Sequence, residues 1–405
     1  MDHSPTRPLS PSNSAFFLFL LVGSNLLTFF LSSSSTSNCS FTTATTTITT
    51  AAPTTTTVTN NNDVESMDSE TDESSSTNNN DLLPSEFHAS TDPQELPLGY
   101  NPNFDSDIIY SPVGHPCTQF PDLIKQYMSY DMNGPCPDDE LLAQKLLLKG
   151  CEPLPRRRCR PAAPLNYVEP FPLPKSLWSI PSDNSVVWTH YHCKNYSCLL
   201  NRSHQQKGFS DCKDCFELGG REKARWIKPG HGLNFNIDEV LAKKKPGTVR
   251  IGLDIGGGTA TFAVRMRERN ITIVTTSMNL NGPFNSFIAA RGVIPLYLSI
   301  SQRLPFFDNT LDIVHSMHVL NNWIPAKLLH FLLFDIYRVL RPGGFFWLDH
   351  FFCLEQQLEE AYVPMIETIG FKKVKWETGR KFDRGPAIKE MYLSALLEKP
   401  LKKSW

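Results

Sequence analysis

Positive charge is missing from the start of this chain. No lysine or arginine occurs between Arg7 and Lys125, and the formal net charge over all 405 residues is −2. A nucleic-acid surface needs Lys and Arg gathered on one face, so that class of partner is excluded. The one short basic run, Lys243-Lys244-Lys245, has no interleaved aromatics and reads as a solvated helix end. Residues 32–81 lack nearly all apolar side chains and consist of Ser, Thr, Asn and acids. Such a segment cannot bury enough surface to offset ordering entropy, so it reads as a disordered stalk, either O-glycosylated or a bare linker. Cysteine is nearly absent from the second half: beyond Cys215 only Cys353 remains, which reads as a buried small hydrophobe.

Ahead of the stalk, residues 15–31 form an apolar run interrupted by Gly23, Ser24, Asn25 and Thr28. Its length lies near the lower limit of about 17 residues for crossing a bilayer. Arg7 precedes the run, and acids without bases follow it from Asp63 to Asp81. The positive-inside rule then leaves residues 1–14 in the cytosol and carries the rest across the membrane. The flanks favour an uncleaved signal anchor; a cleaved signal peptide and a plastid transit peptide are the alternatives.

Residues 82–245 are rich in Pro, Cys and aromatics and read as an irregular accessory region. One helix is expected there, capped by Asp138 or Asp139, ended by Gly150, with Leu141, Leu142, Leu146 and Leu148 on its apolar side. Eight cysteines fall between Cys117 and Cys215. Cys193, Cys198, Cys212 and Cys215 have the spacing of four zinc ligands. In an oxidising lumen disulfides are the expected state, with Cys151–Cys159 a plausible local pair. Asn38, Asn195, Asn201 and Asn270 head glycosylation sequons.

From residue 246 the pattern changes to alternating strands and helices. The expected strands are 249–253, 271–275, 294–298, 311–316, 345–348, 372–377 and 391–397. Such alternation implies an α/β fold with a mostly parallel sheet covered on both faces. The first strand ends at Asp254 and runs into Gly256-Gly257-Gly258. Glycines there permit positive φ and close backbone approach to a ligand at the start of a helix. Further on stand Leu304-Pro305-Phe306-Phe307-Asp308, the Asp312-led strand, and a helix from Ala326 to Leu340 opened by Pro325. That helix stops at Arg341-Pro342-Gly343-Gly344.

In this order, these segments resemble the class I S-adenosylmethionine-dependent methyltransferases over roughly residues 247–399. The strings 287–292 (FIAARG) and 151–159 (CEPLPRRRC) resemble a plant group of membrane-anchored methyltransferases related to the pectin-methyltransferase-like proteins. The resemblance implies a Rossmann-like, doubly wound, seven-stranded sheet with an antiparallel last strand. It implies S-adenosyl-L-methionine as cofactor, held by Asp254, Gly256, Gly257 and Gly258, with Thr276 and Asn279 near the ribose and Ser299 and Ile300 at the adenine. His315, beside the cofactor, is both a binding and a catalytic candidate. The acid that usually ends the second strand is absent from Thr275–Asn279.

Methyl transfer from a sulfonium is an in-line displacement that rests largely on positioning. A hydroxyl acceptor needs a base, and His315, His318, Asp349 and His350 stand at strand ends. A uronic-acid carboxylate needs no base, only cations or amides; Arg291 and Arg303 are candidates. No metal site is expected in this domain. The expectation is a single-pass Golgi enzyme with a luminal catalytic domain, acting on a polysaccharide or small-molecule acceptor. A non-catalytic scaffold that kept the fold is the alternative, motivated by the missing acid; a nicotinamide oxidoreductase is a further one.

Overall fold

The computed structural model describes residues 83–95, 108–169, 173–202, 214–228 and 230–401. The expected tail, anchor and stalk (1–14, 15–31 and 32–81) lie outside them. Among the described residues no helix is long and apolar enough to cross a membrane.

Seven strands form one sheet: β1 (Ile251–Ile255), β2 (Thr272–Thr276), β3 (Ile294–Leu296), β4 (Leu311–Met317), β5 (Leu340–Leu354), β6 (Lys372–Lys381) and β7 (Glu390–Glu398). Their order is β3-β2-β1-β4-β5-β7-β6. The first five are parallel; β7 runs antiparallel between β5 and β6. This is the doubly wound, mostly parallel sheet expected from the sequence. Strand order reverses beside β1, so the loops after β1 and β4 open a crevice there. The central strands are buried on both faces, and Leu253, Ile313, Val314, Phe346 and Leu348 are nearly solvent-free. That is why they read as continuous apolar runs and not as alternating ones.

Helix α4 (Ala326–Val339) buries Leu329, Leu332, Leu333, Ile336 and Val339 on the sheet, at helical spacing. Pro325 is its N-cap and not its first helical residue. Arg338 of α4 binds the carbonyls of Leu304 and Phe306 and the Asp308 carboxylate at 2.7–2.8 Å, pinning the turn that enters β4. Arg341-Pro342-Gly343-Gly344 belongs to β5, whose pairing with β4 is irregular there. β5 therefore starts earlier than its apolar core at 345–348 suggests.

In the accessory region, α1 (Glu140–Leu148) buries Ala143, Leu146 and Leu147, while Leu141 and Leu148 are exposed. Asp139 is its N-cap residue but gives no side-chain cap; its carboxylate instead takes both guanidinium nitrogens of Arg157, at 2.7 and 3.0 Å. Among the described residues, disulfides join Cys117 to Cys151, Cys136 to Cys159 and Cys193 to Cys198. The local pair Cys151–Cys159 is thus replaced by two longer-range bridges that fasten the segments flanking α1. Cys193, Cys198 and Cys215 are all disulfide-bonded, which removes the four-cysteine zinc reading.

Asp312 fastens the amino ends of three strands. Its buried Oδ2 accepts from the backbone N–H groups of Arg250 (2.7 Å) and Ile251 (3.1 Å). The side chains of Arg250 and Arg341 also bind it. Burial raises its pKa, but the two guanidinium groups outweigh burial and hold it below the ordinary value of 3.8. A depressed carboxylate stabilises the fold above its unfolded pKa and loses that contribution as pH falls. Asp312→Asn should cost about 3 kcal/mol at pH 7 in urea unfolding. The gap to the wild type should narrow below about pH 4.

Candidate functional site

The glycine turn is built as a cradle. Gly256 and Gly258 have φ of +67° and +57°. A Cβ on Gly257 would collide with the Asp254 carboxylate and the Thr275 methyl. The turn is held from β2: Gly256 N–H donates to Thr276 Oγ1 (2.9 Å) and Gly257 N–H to the Thr276 carbonyl (3.1 Å). Helix α2 (Thr261–Arg267) follows.

Beneath the turn lies a row of buried charge. Asp254 and His315 are neighbours across β1 and β4, and His315 Nδ1 stands 2.7 Å from Asp254 Oδ1. On the other side His315 Nε2 is 3.6 Å from Asp349 Oδ2, and Asp349 Oδ1 is 2.6 Å from His350 Nδ1. Asp349 also accepts from Trp226 Nε1 (2.9 Å) and Ser394 Oγ (3.4 Å). The Phe262 ring stacks on His315 at 3.9 Å, and Trp226 and Trp347 meet it edge-on.

Burial alone would depress the His315 pKa; the flanking carboxylates Asp254 and Asp349 outweigh it and raise the pKa above 6.5. Burial likewise opposes ionisation of Asp349, yet His315 and His350 hold it far below the usual carboxylate range. His315 is therefore biased toward its protonated form between two carboxylates, with an aromatic face against it. His318 behaves oppositely: burial, then the neighbouring His350, push its pKa down to about 4.

Asp349 and His350 lie where β5 shifts register against β7, between Leu348 and Phe351. A bulge re-aims side chains at a sheet rim. Three non-glycine residues gather here with left-handed φ: Trp226 (58°), His318 (62°) and His350 (51°). Such strain persists only where the surroundings hold it, and it concentrates at functional sites.

A cleft of about 310 Å³ opens beside the row. Its lining includes Arg225, Trp226, Lys228, His231, Met317 and His350. His350 engages Asp349 through Nδ1, leaving Nε2 for the cleft.

The structure places the other expected residues as follows. Asp254 is 1 % exposed, sealed under the turn. Asn279 accepts from the Asn285 backbone N–H (3.0 Å) and amide (2.9 Å), and its own amide donates to Glu140. Ser299 binds Glu152 through its N–H and hydroxyl. Ile300 packs at the edge of the main core. Arg291 is fully buried, its guanidinium donating to the carbonyls of Leu177 (2.9 Å) and Thr259 (2.5 Å). Arg303 is exposed and paired with Asp308. Neither arginine lines the cleft; the cations that do, Arg225 and Lys228, come from the accessory region. That region also contributes Trp226, Glu140 and Glu152. The dense run Arg221–Lys228, basic and aromatic just ahead of the first strand, was the available signal for part of this.

The residues fit an adenosine-bearing cofactor. Asp254 Oδ2, Thr275 Oγ1 and Ser316 Oγ are buried side-chain atoms without partners, and all three sit at the carboxyl ends of β1, β2 and β4. They border a glycine turn that is closely packed, with Val319 against Gly256 and Cys215 over Gly258. Fold and site thus define an α/β domain of the class I methyltransferase type.

Residues 138–378 match the family described as "Putative S-adenosyl-L-methionine-dependent methyltransferase", and the chain belongs to that family. It is 40 % identical over 294 residues to the Arabidopsis thaliana "Probable methyltransferase At1g29790", covering 72 % of each chain. It is 27 % identical over 216 residues to "Probable methyltransferase PMT21" of the same plant, covering 49 % of this chain and 32 % of that one. Among solved structures, Haemonchus contortus phosphoethanolamine N-methyltransferase 2 with S-adenosyl-L-methionine has 17 % identity and a TM-score of 0.29, covering 41 % of this chain and 53 % of that one. The chain is an S-adenosylmethionine-dependent methyltransferase of the plant PMT-like group.

Two outcomes test the site. Gly257→Ala should weaken S-adenosylhomocysteine binding by roughly tenfold or more in calorimetry, with the far-ultraviolet spectrum retained. A histidine with a raised folded-state pKa stabilises below its unfolded pKa and loses that contribution as pH rises through the folded one. Urea unfolding should therefore show stability declining as pH rises above 6.5, and His315→Gln should abolish that slope.

Proposed function

We propose that this methyltransferase esterifies an anionic sugar acid, the uronate carboxylate of a cell-wall polysaccharide, in the Golgi lumen. The observation that carries the reading is the cleft beside Asp349, lined by the cations Arg225 and Lys228. A carboxylate entering it is stabilised by such cations. The disulfides among the described residues suit an oxidising compartment. The apolar run at 15–31 is the proposed single-pass anchor.

Bound S-adenosylmethionine supplies a methyl group on a positively charged sulfur. The chain's residues position the acceptor against it. Arg225 is itself held by Glu222 at 2.8 Å and so presents its remaining nitrogens in a fixed direction. An acceptor oxygen placed by Arg225 and Lys228 would take that methyl group with its own lone pair, the S–C bonding pair staying on the departing sulfur. No proton moves when the acceptor is a carboxylate.

One observation favours a second reading. The Asp349–His350 contact gives a carboxylate-oriented imidazole at the cleft, and His350 Nε2 can take the proton of a hydroxyl acceptor as its oxygen is methylated.

Incubating the full chain with labelled cofactor and oligogalacturonate, then treating with mild alkali, separates these. Label released by alkali is the expected result; alkali-stable label points to an ether and overturns the uronate reading. Absence of any transfer, with cofactor bound, supports a scaffold role. Arg225→Ala and Lys228→Ala should each raise KM about tenfold with kcat little changed. Protease treatment of sealed microsomes should spare the catalytic domain until detergent is added; digestion without detergent overturns the luminal placement.

A further inference from the structure

The ribose of an adenosine cofactor lies at the end of the second strand of a doubly wound sheet, about 20 residues beyond the glycine turn, and its hydroxyls are met there by a carboxylate. Here that place is Thr276–Asn279, which has no acid. The fold nonetheless brings a carboxylate to it. Glu140, the first residue of α1 and 139 positions away, accepts from the Asn279 side-chain amide. Its other oxygen accepts from Tyr191 Oη at 2.6 Å.

The placement is braced from both sides. Asn279 is fixed by two bonds from Asn285. Just beyond α1, Glu152 accepts from Ser299 N–H (3.2 and 3.1 Å) and from its hydroxyl, so the segment is tied to the end of β3 as well. The Cys117–Cys151 disulfide holds that second tie. α1 is thus clamped across the ends of β2 and β3 by a carboxylate at each end. Nearby at the end of β2, the fully buried Thr275 hydroxyl has no partner.

We propose that Glu140 provides the carboxylate for the cofactor's ribose diol, so that the accessory region completes the nucleoside end of the site. This rests on the cofactor assignment above. A carboxylate accepts from both hydroxyls of a cis-diol, which the neutral Asn279 cannot match in strength.

The test is calorimetric titration of the purified full chain in detergent with S-adenosylhomocysteine and with its 2′,3′-dideoxy analogue. The wild type should prefer the diol by about tenfold, the scale of one charge-assisted hydrogen bond. Glu140→Gln should lose that preference, binding the parent compound about tenfold more weakly and the dideoxy analogue unchanged. Glu140→Asp, which draws the charge back by one methylene, should lose part of it and serves if the glutamine variant does not fold. An unchanged preference in either variant, or an equal loss for both ligands, overturns the proposal. A wild type that binds neither ligand overturns the cofactor assignment itself, a separate result.

Discussion

The site depends on one buried histidine. His315 sits between Asp254 and Asp349 with a phenylalanine ring against its face, and replacing it would leave two carboxylates facing each other in the interior. Each carboxylate belongs to a different functional surface. Asp254 underlies the glycine turn; Asp349 borders the cleft lined by Arg225 and Lys228 and orients His350 and Trp226. The histidine therefore sets both walls at once, through strands that are neighbours in the sheet. Isolated burial of any one of these groups would be costly, and only the row as a whole is tolerable.

The accessory region is part of the enzyme's working surface. Cys215 lies over Gly258, its carbonyl accepts from Thr259 at 2.8 Å, and Trp226 reaches Asp349. Disulfides hold this irregular segment where helices or strands would otherwise be needed. A mostly parallel sheet leaves its strand ends open, and here the cover over those ends carries the cations of the cleft and the two glutamates.

Much of the sheet was legible in the sequence. Continuous apolar runs marked β1, β4 and β5, and the glycines after Asp254 marked the tight turn beyond β1, because backbone geometry there tolerates few residue types. The helix at Glu140 was legible as a helix, but its buried face was not: Leu141 and Leu148 point to solvent, and Ala143, Leu146 and Leu147 pack. Five leucines in nine residues give no single face. Arg291 illustrates a different limit. Its charge suggested a ligand, while its neighbours, two backbone carbonyls and the rings of Trp178 and Phe287, are 30 or more residues away or hidden in a helix pattern. The bulge at Asp349 and His350 left no mark in composition at all.

The sequence by itself determined the class of fold and the place of the glycine turn, since both follow from local rules of period, turn chemistry and glycine freedom. It also determined that the second strand would end without an acid. The cysteine pairing, the salt-bridged row Asp254–His315–Asp349, the cationic lining of the cleft and the arrival of Glu140 at the vacant acidic position were decided only by tertiary structure. Each joins residues far apart in the chain, and their energies come from burial and distance, which no local pattern encodes.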